Sequence, residues 1–290
     1  MIPYGRQDIN QKDIDSVIEV LKSDFLTQGP QVPAFEEELA RYTNAKHAVA
    51  VNSATSALHV ACLALGVNKK DLVWTSPITF VASANCALYC GAKVDFVDID
   101  PKTYNICPQK LEEKLKKAKK DKKLPSVVIP VHLCGQSCDM SAIGKLSREY
   151  GFKVIEDASH AVGGRHENLP IGGCVHSDIT VFSFHPVKIV TTAEGGVALT
   201  NDAKLAENMA LFRSHGITRD SALMNEPSHG DWYYQQIALG FNYRMTEIQA
   251  ALGLSQMSRL DQFVSDRHRL FRRYNEKLSG LPLVLPYQAP

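Results

Sequence analysis

Short apolar runs alternate with amphipathic stretches along most of this chain, and that alternation constrains its fold more than any other feature. His47–Val51, Leu72–Thr75, Lys93–Val97, Ser126–Val131, Phe152–Ile155, Asp178–Phe184 and Gly196–Thr200 read as strands. Between and before them, residues 11–22, 33–43, 56–65, 79–90 and 139–150 carry apolar side chains at helical spacing. Pro33 is expected to open the second of these helices. Strand and helix in repeated alternation imply an α/β protein with a mostly parallel central sheet and helices on both faces. Residues 246–278 read as one long helix, with Ile248, Leu252, Met257, Leu260, Phe263, Val264, Phe271 and Tyr274 as its apolar stripe. A helix that long is expected to bridge two domains, and the strand-like Leu281–Leu285 follows it. The expected division is a large domain over 1–250, then a bridging helix and the start of a smaller, incomplete C-terminal domain over 251–290.

Charge and hydropathy exclude several classes. With 32 basic and 31 acidic residues, no overall field favours nucleic acid or an anionic membrane. The Lys-rich run Lys114–Lys123 lacks aromatics and reads as a solvated helix end. No stretch approaches the ~18 apolar residues of a membrane span, and Met1–Asp8 lacks the apolar core of a signal peptide. A cytoplasmic protein is the expectation. The seven cysteines (Cys62, Cys86, Cys90, Cys107, Cys134, Cys138 and Cys174) are scattered and odd in number, so reduced thiols are expected rather than a disulfide framework. No closely placed His or Cys partners suggest a metal.

The chemistry gathers at strand ends, where open α/β sheets bind ligands. Lys188 follows Phe182-Ser183-Phe184-His185-Pro186-Val187 and precedes Glu194-Gly195-Gly196. Its amine suits a Schiff base with an aldehyde cofactor, and Ser183 suits that cofactor's phosphate. Alone, such a lysine is most often a surface group. Asn52-Ser53-Ala54-Thr55-Ser56 joins a strand to a helix start, where small residues and N–H groups accommodate a phosphate, although Ser and Thr there are commonly simple caps. Asp157 ends a strand and suits the pyridine nitrogen of pyridoxal 5′-phosphate (PLP), which it would keep protonated; it also suits a helix N-cap. His160 lies three residues on, within reach of a ring hydroxyl. Phe80 suits stacking on a planar ring, or a place in the core.

Phe182–Lys188 with Glu194-Gly195-Gly196, Asn52–Leu58, Glu156–Ala161 and Gly240-Phe241-Asn242-Tyr243-Arg244-Met245 together resemble the DegT/DnrJ/StrS aminotransferases. The likeness runs from about residue 3 to 278. It implies the PLP-dependent fold type I architecture, like that of aspartate aminotransferase. It also implies roles: Lys188 as the Schiff-base lysine, Asp157 at the ring nitrogen and His160 near the ring hydroxyl. Ser183, Thr55 and Ser56 would hold the phosphate, with Phe80 stacked on the ring. Asn242 would reach the phosphate of the neighbouring subunit, which implies a homodimer with shared active sites. Within the family, His185–Lys188 with Thr191–Gly196, and Glu156–Ala161, look most like the branch that moves an amino group from L-glutamate to a UDP-linked 4-keto-6-deoxy-HexNAc in pseudaminic acid biosynthesis.

Other readings stand beside it. The substrate could be another nucleotide keto-sugar, of the perosamine or bacillosamine type. Some sugar dehydratases of the same family carry His where Lys188 stands, so Lys188 counts against the dehydratase reading. A non-catalytic scaffold or regulator is a third reading, because family members are commonly longer than this chain. Groups that grip the donor carboxylate or the nucleotide are expected in the part beyond Pro290.

Overall fold

The computed structural model describes residues 5–289; Met1–Tyr4, where the reading of the leader began, and Pro290 lie outside them. The seven main strands are β1 (His47–Val51), β2 (Leu72–Thr75), β3 (Lys93–Phe96), β4 (Val127–Ile129), β5 (Lys153–Asp157), β8 (Ile179–Ser183) and β9 (Gly196–Thr200). Two small hairpins supply the other numbers, β6 (Arg165–His166) with β7 (Leu169–Pro170), and β10 (Ile217–Thr218) with β11 (Gln235–Gln236). The sheet order is β1-β9-β8-β5-β4-β2-β3. Pairs from β8 to β3 are parallel, and β9 runs antiparallel to both of its neighbours. This is the mostly parallel sheet that the alternation implied.

The helices are α1 (Gln11–Lys22), α2 (Gln31–Thr43), α3 (Ala54–Ala64), α4 (Ala82–Tyr89), α5 (Pro108–Lys120), α6 (Met140–Tyr150), α7 (Ala203–Arg213), α8 (Glu247–Met257) and α9 (Leu260–Leu278). Strand alternation sorts the core onto two faces. Val49, Val73, Val127, Ile155, Val181 and Ala198 point to one face and pack with α3, α4 and α7. On the other face, Ala50, Phe182, Val197 and Leu199 meet α2 and α8, while Trp74, Val128 and Val154 meet α5 and α6. Phe35 of α2 is fully buried and meets Phe184 edge-on, with ring centroids 5.1 Å apart. Burial of each such side chain contributes roughly 1.5–3 kcal/mol.

Several boundaries depart from the sequence reading. α2 begins at Gln31, not at Pro33, because the buried Glu247 carboxylate accepts from the N–H of Gln31 (2.6 Å) and Val32 (3.4 Å). α4 begins at Ala82, which leaves Phe80 in the turn before it. The long helix is two helices. It breaks at Ser258-Arg259, where the Arg259 guanidinium is held by Asp8 (2.8 Å) and Asp13 (2.6 Å). Leu281–Leu285 forms no strand, and Val284 is 95% exposed. Among the described residues no helix is long and apolar enough to cross a membrane.

Candidate active site

A cleft of about 450 Å³ opens beyond the carboxyl ends of β5 and β8, a size that suits a small-molecule ligand. Six of the predicted site residues line it: Thr55, Phe80, Asp157, His160, Ser183 and Lys188. Ser56 and Asn242 do not. The Ser56 hydroxyl donates to Asn52 Oδ1 (2.7 Å) and lies 3.0 Å from Ser53 Oγ, so it is occupied within the turn. Asn242 is exposed, and its carbonyl accepts from Asn52 Nδ2 (3.3 Å).

Each end of the cleft has its own chemistry. At the acidic end, Asp157 is 4% exposed and both carboxylate oxygens are held. Oδ2 accepts from the Ser83 hydroxyl (2.6 Å), and Oδ1 from the Ser159 hydroxyl (2.6 Å) and backbone N–H (3.2 Å). Ser83 is fully buried on α4, with the Thr79 hydroxyl 2.8 Å away. The sequence reading gave neither Ser83 nor Ser159 a role. Ser159 has a local signal, because an Asx-type turn often follows a strand-end Asp. Ser83 has none, since its partner is distant in the chain. Substituting Ser83 with Ala removes one charge-assisted hydrogen bond, worth about 1.5–3 kcal/mol. The expected result is at least tenfold weaker cofactor binding with the fold intact, measured by fluorescence titration; Ser83→Thr should recover most of it.

Behind Asp157, on the opposite face of β5, Glu156 meets the fully buried His132 (2.8 Å), Thr180 (3.1 Å) and Ser177. Burial opposes its ionisation, but these partners, His132 first, hold Glu156 below the usual carboxylate range. The His132 backbone N–H donates to the Asp157 carbonyl (3.0 Å), which also anchors the end of β5.

Lys188 is half-buried. Burial pushes its amine below the ordinary lysine value, against the opposing pull of Asp157. That shift enlarges the fraction of neutral, nucleophilic amine near neutral pH. His160 is lowered too, by burial first and then by the Lys188 charge. Its Nδ1 accepts the N–H of Cys134 (3.1 Å), which fixes the proton of the neutral ring on Nε2. Below its folded midpoint His160 is protonated in both the folded and unfolded chain. Between that midpoint and the ordinary ~6.5 the unfolded chain holds more protons, so the contribution of His160 to stability rises with pH across that window. In ¹H–¹³C NMR titrations the His160 midpoint is expected below ~6.5 and should move upward in Lys188→Met, where the neighbouring charge is gone. An unchanged midpoint would contradict this coupling.

The opposite end is built by α3 and β9. At the start of α3 the Ser53 hydroxyl caps the Ser56 N–H (3.1 Å), the N–H groups of Ala54 and Thr55 before it have no intrahelical partner, and the helix dipole makes that end positive. Gly196 brings β9 against this turn. A Cβ there would stand 2.5 Å from the Ala54 nitrogen and 2.6 Å from the Ser53 carbonyl carbon, with nothing flexible to yield. Gly196→Ala is expected to cost about 3 kcal/mol, read as a lower denaturant midpoint.

An amine, a fixed carboxylate, a helix N-terminus and an exposed aromatic, Phe80, therefore share one cleft of suitable volume. This donor set fits PLP. The fold defines the class: the fold type I architecture of the PLP-dependent transferases. The chain belongs to the DegT/DnrJ/EryC1/StrS aminotransferase family, whose profile matches residues 7–290. It is 41% identical over 277 residues to the UDP-4-amino-4,6-dideoxy-N-acetyl-beta-L-altrosamine transaminase of Campylobacter jejuni, covering 96% of this chain and 69% of that one. Its structure is similar to that of Helicobacter pylori PseC, an aminotransferase involved in the biosynthesis of pseudoaminic acid (TM-score 0.86, 33% identity, 97% of this chain and 71% of that one). It is also similar to Streptococcus pneumoniae Spr1654 in its PLP form (TM-score 0.84, 29% identity, 96% of this chain and 72% of that one).

Proposed function

We propose that the cleft binds PLP and that the protein transfers the amino group of L-glutamate to C4 of a UDP-linked 4-keto-6-deoxy-HexNAc. When bound, the cofactor supplies an electron sink for a substrate carbanion. Lys188 is the group that holds it covalently and, once released, moves a proton at the reacting carbon. Asp157, fixed by Ser83 and Ser159, keeps a proton on the ring nitrogen. His160 offers its Nε2–H to the ring hydroxyl. Ser183, Thr55 and the first N–H groups of α3 hold the phosphate, and Ser56 braces that turn. Phe80 covers the ring and excludes water from it. Asn242 serves the phosphate of the neighbouring subunit in a cytoplasmic homodimer. The large domain accounts for residues 1–250, and the helix that leads out of it is α9, of which only Leu260 is buried.

The observation that carries this reading is the placement of Lys188 and Asp157 in one cleft with the start of α3. Adding PLP and L-glutamate should release 2-oxoglutarate and remove the visible absorbance of the lysine-bound cofactor. A panel of UDP- and dTDP-linked keto-sugars, followed by mass spectrometry and NMR, then reads the sugar and the aminated carbon. Absence of both 2-oxoglutarate and spectral change would refute the aminotransferase reading. Amination at C3, or of dTDP sugars alone, would refute the substrate assignment while leaving the transferase.

A further inference from the structure

Asp157 and His160 reach the cleft on main chain that meets a buried pair, His132 and Glu156, on the far side of β5. His132 is fully buried and Glu156 is 5% exposed. The regular pairing of β4 with β5 ends at Val128 and Val154, short of Asp157. Beyond it, the Asp157 N–H donates to the Pro130 carbonyl (2.9 Å), and the His132 backbone N–H to the Asp157 carbonyl (3.0 Å). His132 also precedes one turn of 3₁₀ helix, Leu133–Gly135. In that turn the Cys134 N–H donates to His160 Nδ1 (3.1 Å), and a Cβ on Gly135 would stand 3.0 Å from the His160 carbonyl oxygen. Cys134 has φ 54°, a left-handed conformation that a residue with a Cβ keeps only where its surroundings hold it. The backbone of His132 thus meets Asp157 directly and His160 through one turn.

The ring of His132 is fixed at both nitrogens. Nδ1 accepts the Cys138 N–H (3.1 Å), which puts the proton of the neutral ring on Nε2, 2.8 Å from Glu156 Oε2. The other carboxylate oxygen accepts from the Thr180 hydroxyl (3.1 Å) and from the Ser177 hydroxyl. Thr180 is in register with Glu156 on β8, so the carboxylate ties the turn after β4 to β5 and β8. A buried pair of this kind is poor evidence of stability, because apolar side chains of similar volume often serve as well. What apolar side chains lack is direction, which hydrogen bonds supply.

We propose that His132 and Glu156 are a positioning pair that sets the Asp157 carboxylate and the His160 ring from behind the cleft. The pair touches neither cofactor nor substrate. Its placement of the two groups is a property of the protein without added PLP; only the consequence for turnover rests on the reading of the cleft as a PLP site. The competing support for the turn is Asn105, which is 2% exposed. Its Oδ1 accepts the Leu133 N–H (3.0 Å) and its Nδ2 donates to the Gln136 carbonyl (2.8 Å). If Asn105 alone held the turn, His132 could be lost without moving His160.

The test begins without PLP, at about pH 8, where His160 is neutral. In ¹H–¹⁵N NMR of the wild-type protein, His132 and His160 should each be the Nε2–H tautomer; an Nδ1–H tautomer at His132 would overturn the proposal. The double variant His132→Leu, Glu156→Met leaves no unpaired buried charge. In it His160 should populate both tautomers, and the Cys134 amide should exchange with deuterium at least about tenfold faster. In Glu156→Gln the amide oxygen can accept from His132 and the NH₂ can donate to Ser177 and Thr180, so both signals should match the wild type. Unchanged signals in the folded double variant would assign the turn to Asn105 and end the proposal, as would equal disturbance in Glu156→Gln. Should the double variant not fold, Ser177→Ala takes one donor from Glu156, and both signals must then shift in the same direction for the proposal to stand. With PLP and L-glutamate, the double variant should lose about 10²-fold in kcat with KM little changed, and Glu156→Gln should keep most of the activity. A wild-type protein that binds no PLP would refute the cofactor reading and leave the NMR outcome as it is.

Discussion

Lys188→Ala is expected to abolish turnover with L-glutamate and to remove the visible absorbance that PLP gives on the wild-type protein. Two losses combine. The covalent anchor is gone, and so is the group that moves the proton, a contribution worth about 10²–10⁴-fold by itself. Together the fall in kcat should exceed roughly 10⁴-fold. The variant should remain folded, because Lys188 is half-buried and, among the described residues, only its backbone N–H is bonded, to the His185 carbonyl (2.9 Å). Spectral titration and single-turnover assays check both halves. Retained turnover would remove Lys188 from the reaction.

Asp157→Asn should give the second largest effect. The carboxylate sits at 4% exposure with three donors converging on it. Those donors fix its position. An amide keeps the shape but cannot keep a proton on a ring nitrogen. It also turns its NH₂ toward a hydroxyl that now has to accept. A preorganised electrostatic partner of this kind typically contributes about 10²–10³-fold to kcat, and a loss of at least that size is expected, with a smaller effect on cofactor retention. Equal losses in kcat and in cofactor affinity would instead mark Asp157 as a binding residue alone.

The sequence disclosed those features of this site that are local. Asp157, Ser183 and the turn at Asn52–Thr55 are legible because each follows an apolar run at the end of a strand. Lys188 is legible from its short motif. Contacts between distant residues were not legible. Ser83 meets Asp157 across more than seventy residues, and the start of α2 is capped by Glu247, still further away. The break between α8 and α9 was hidden for another reason: the apolar stripe continues through Met257 and Leu260, and only the Arg259 contacts to Asp8 and Asp13 reveal the interruption. α7 escaped notice because only Met209 on it is buried, so it shows no stripe. Leu281–Leu285 looked like a strand from composition, yet among the described residues no neighbouring strand meets it.

The reversed strand β9 has a consequence in time. Its first residue, Gly196, is in register with Val51 of β1 on one side and with Ser183 of β8 on the other. The phosphate end of the cleft therefore has no shape until β9 has slotted between two strands, one of them synthesised far earlier. Closing so long a loop is slow relative to forming local helices. A nascent or refolding chain would gain helical signal first and the capacity to retain cofactor only after β9 docks. Cofactor capture would then report the last stage of folding rather than the first.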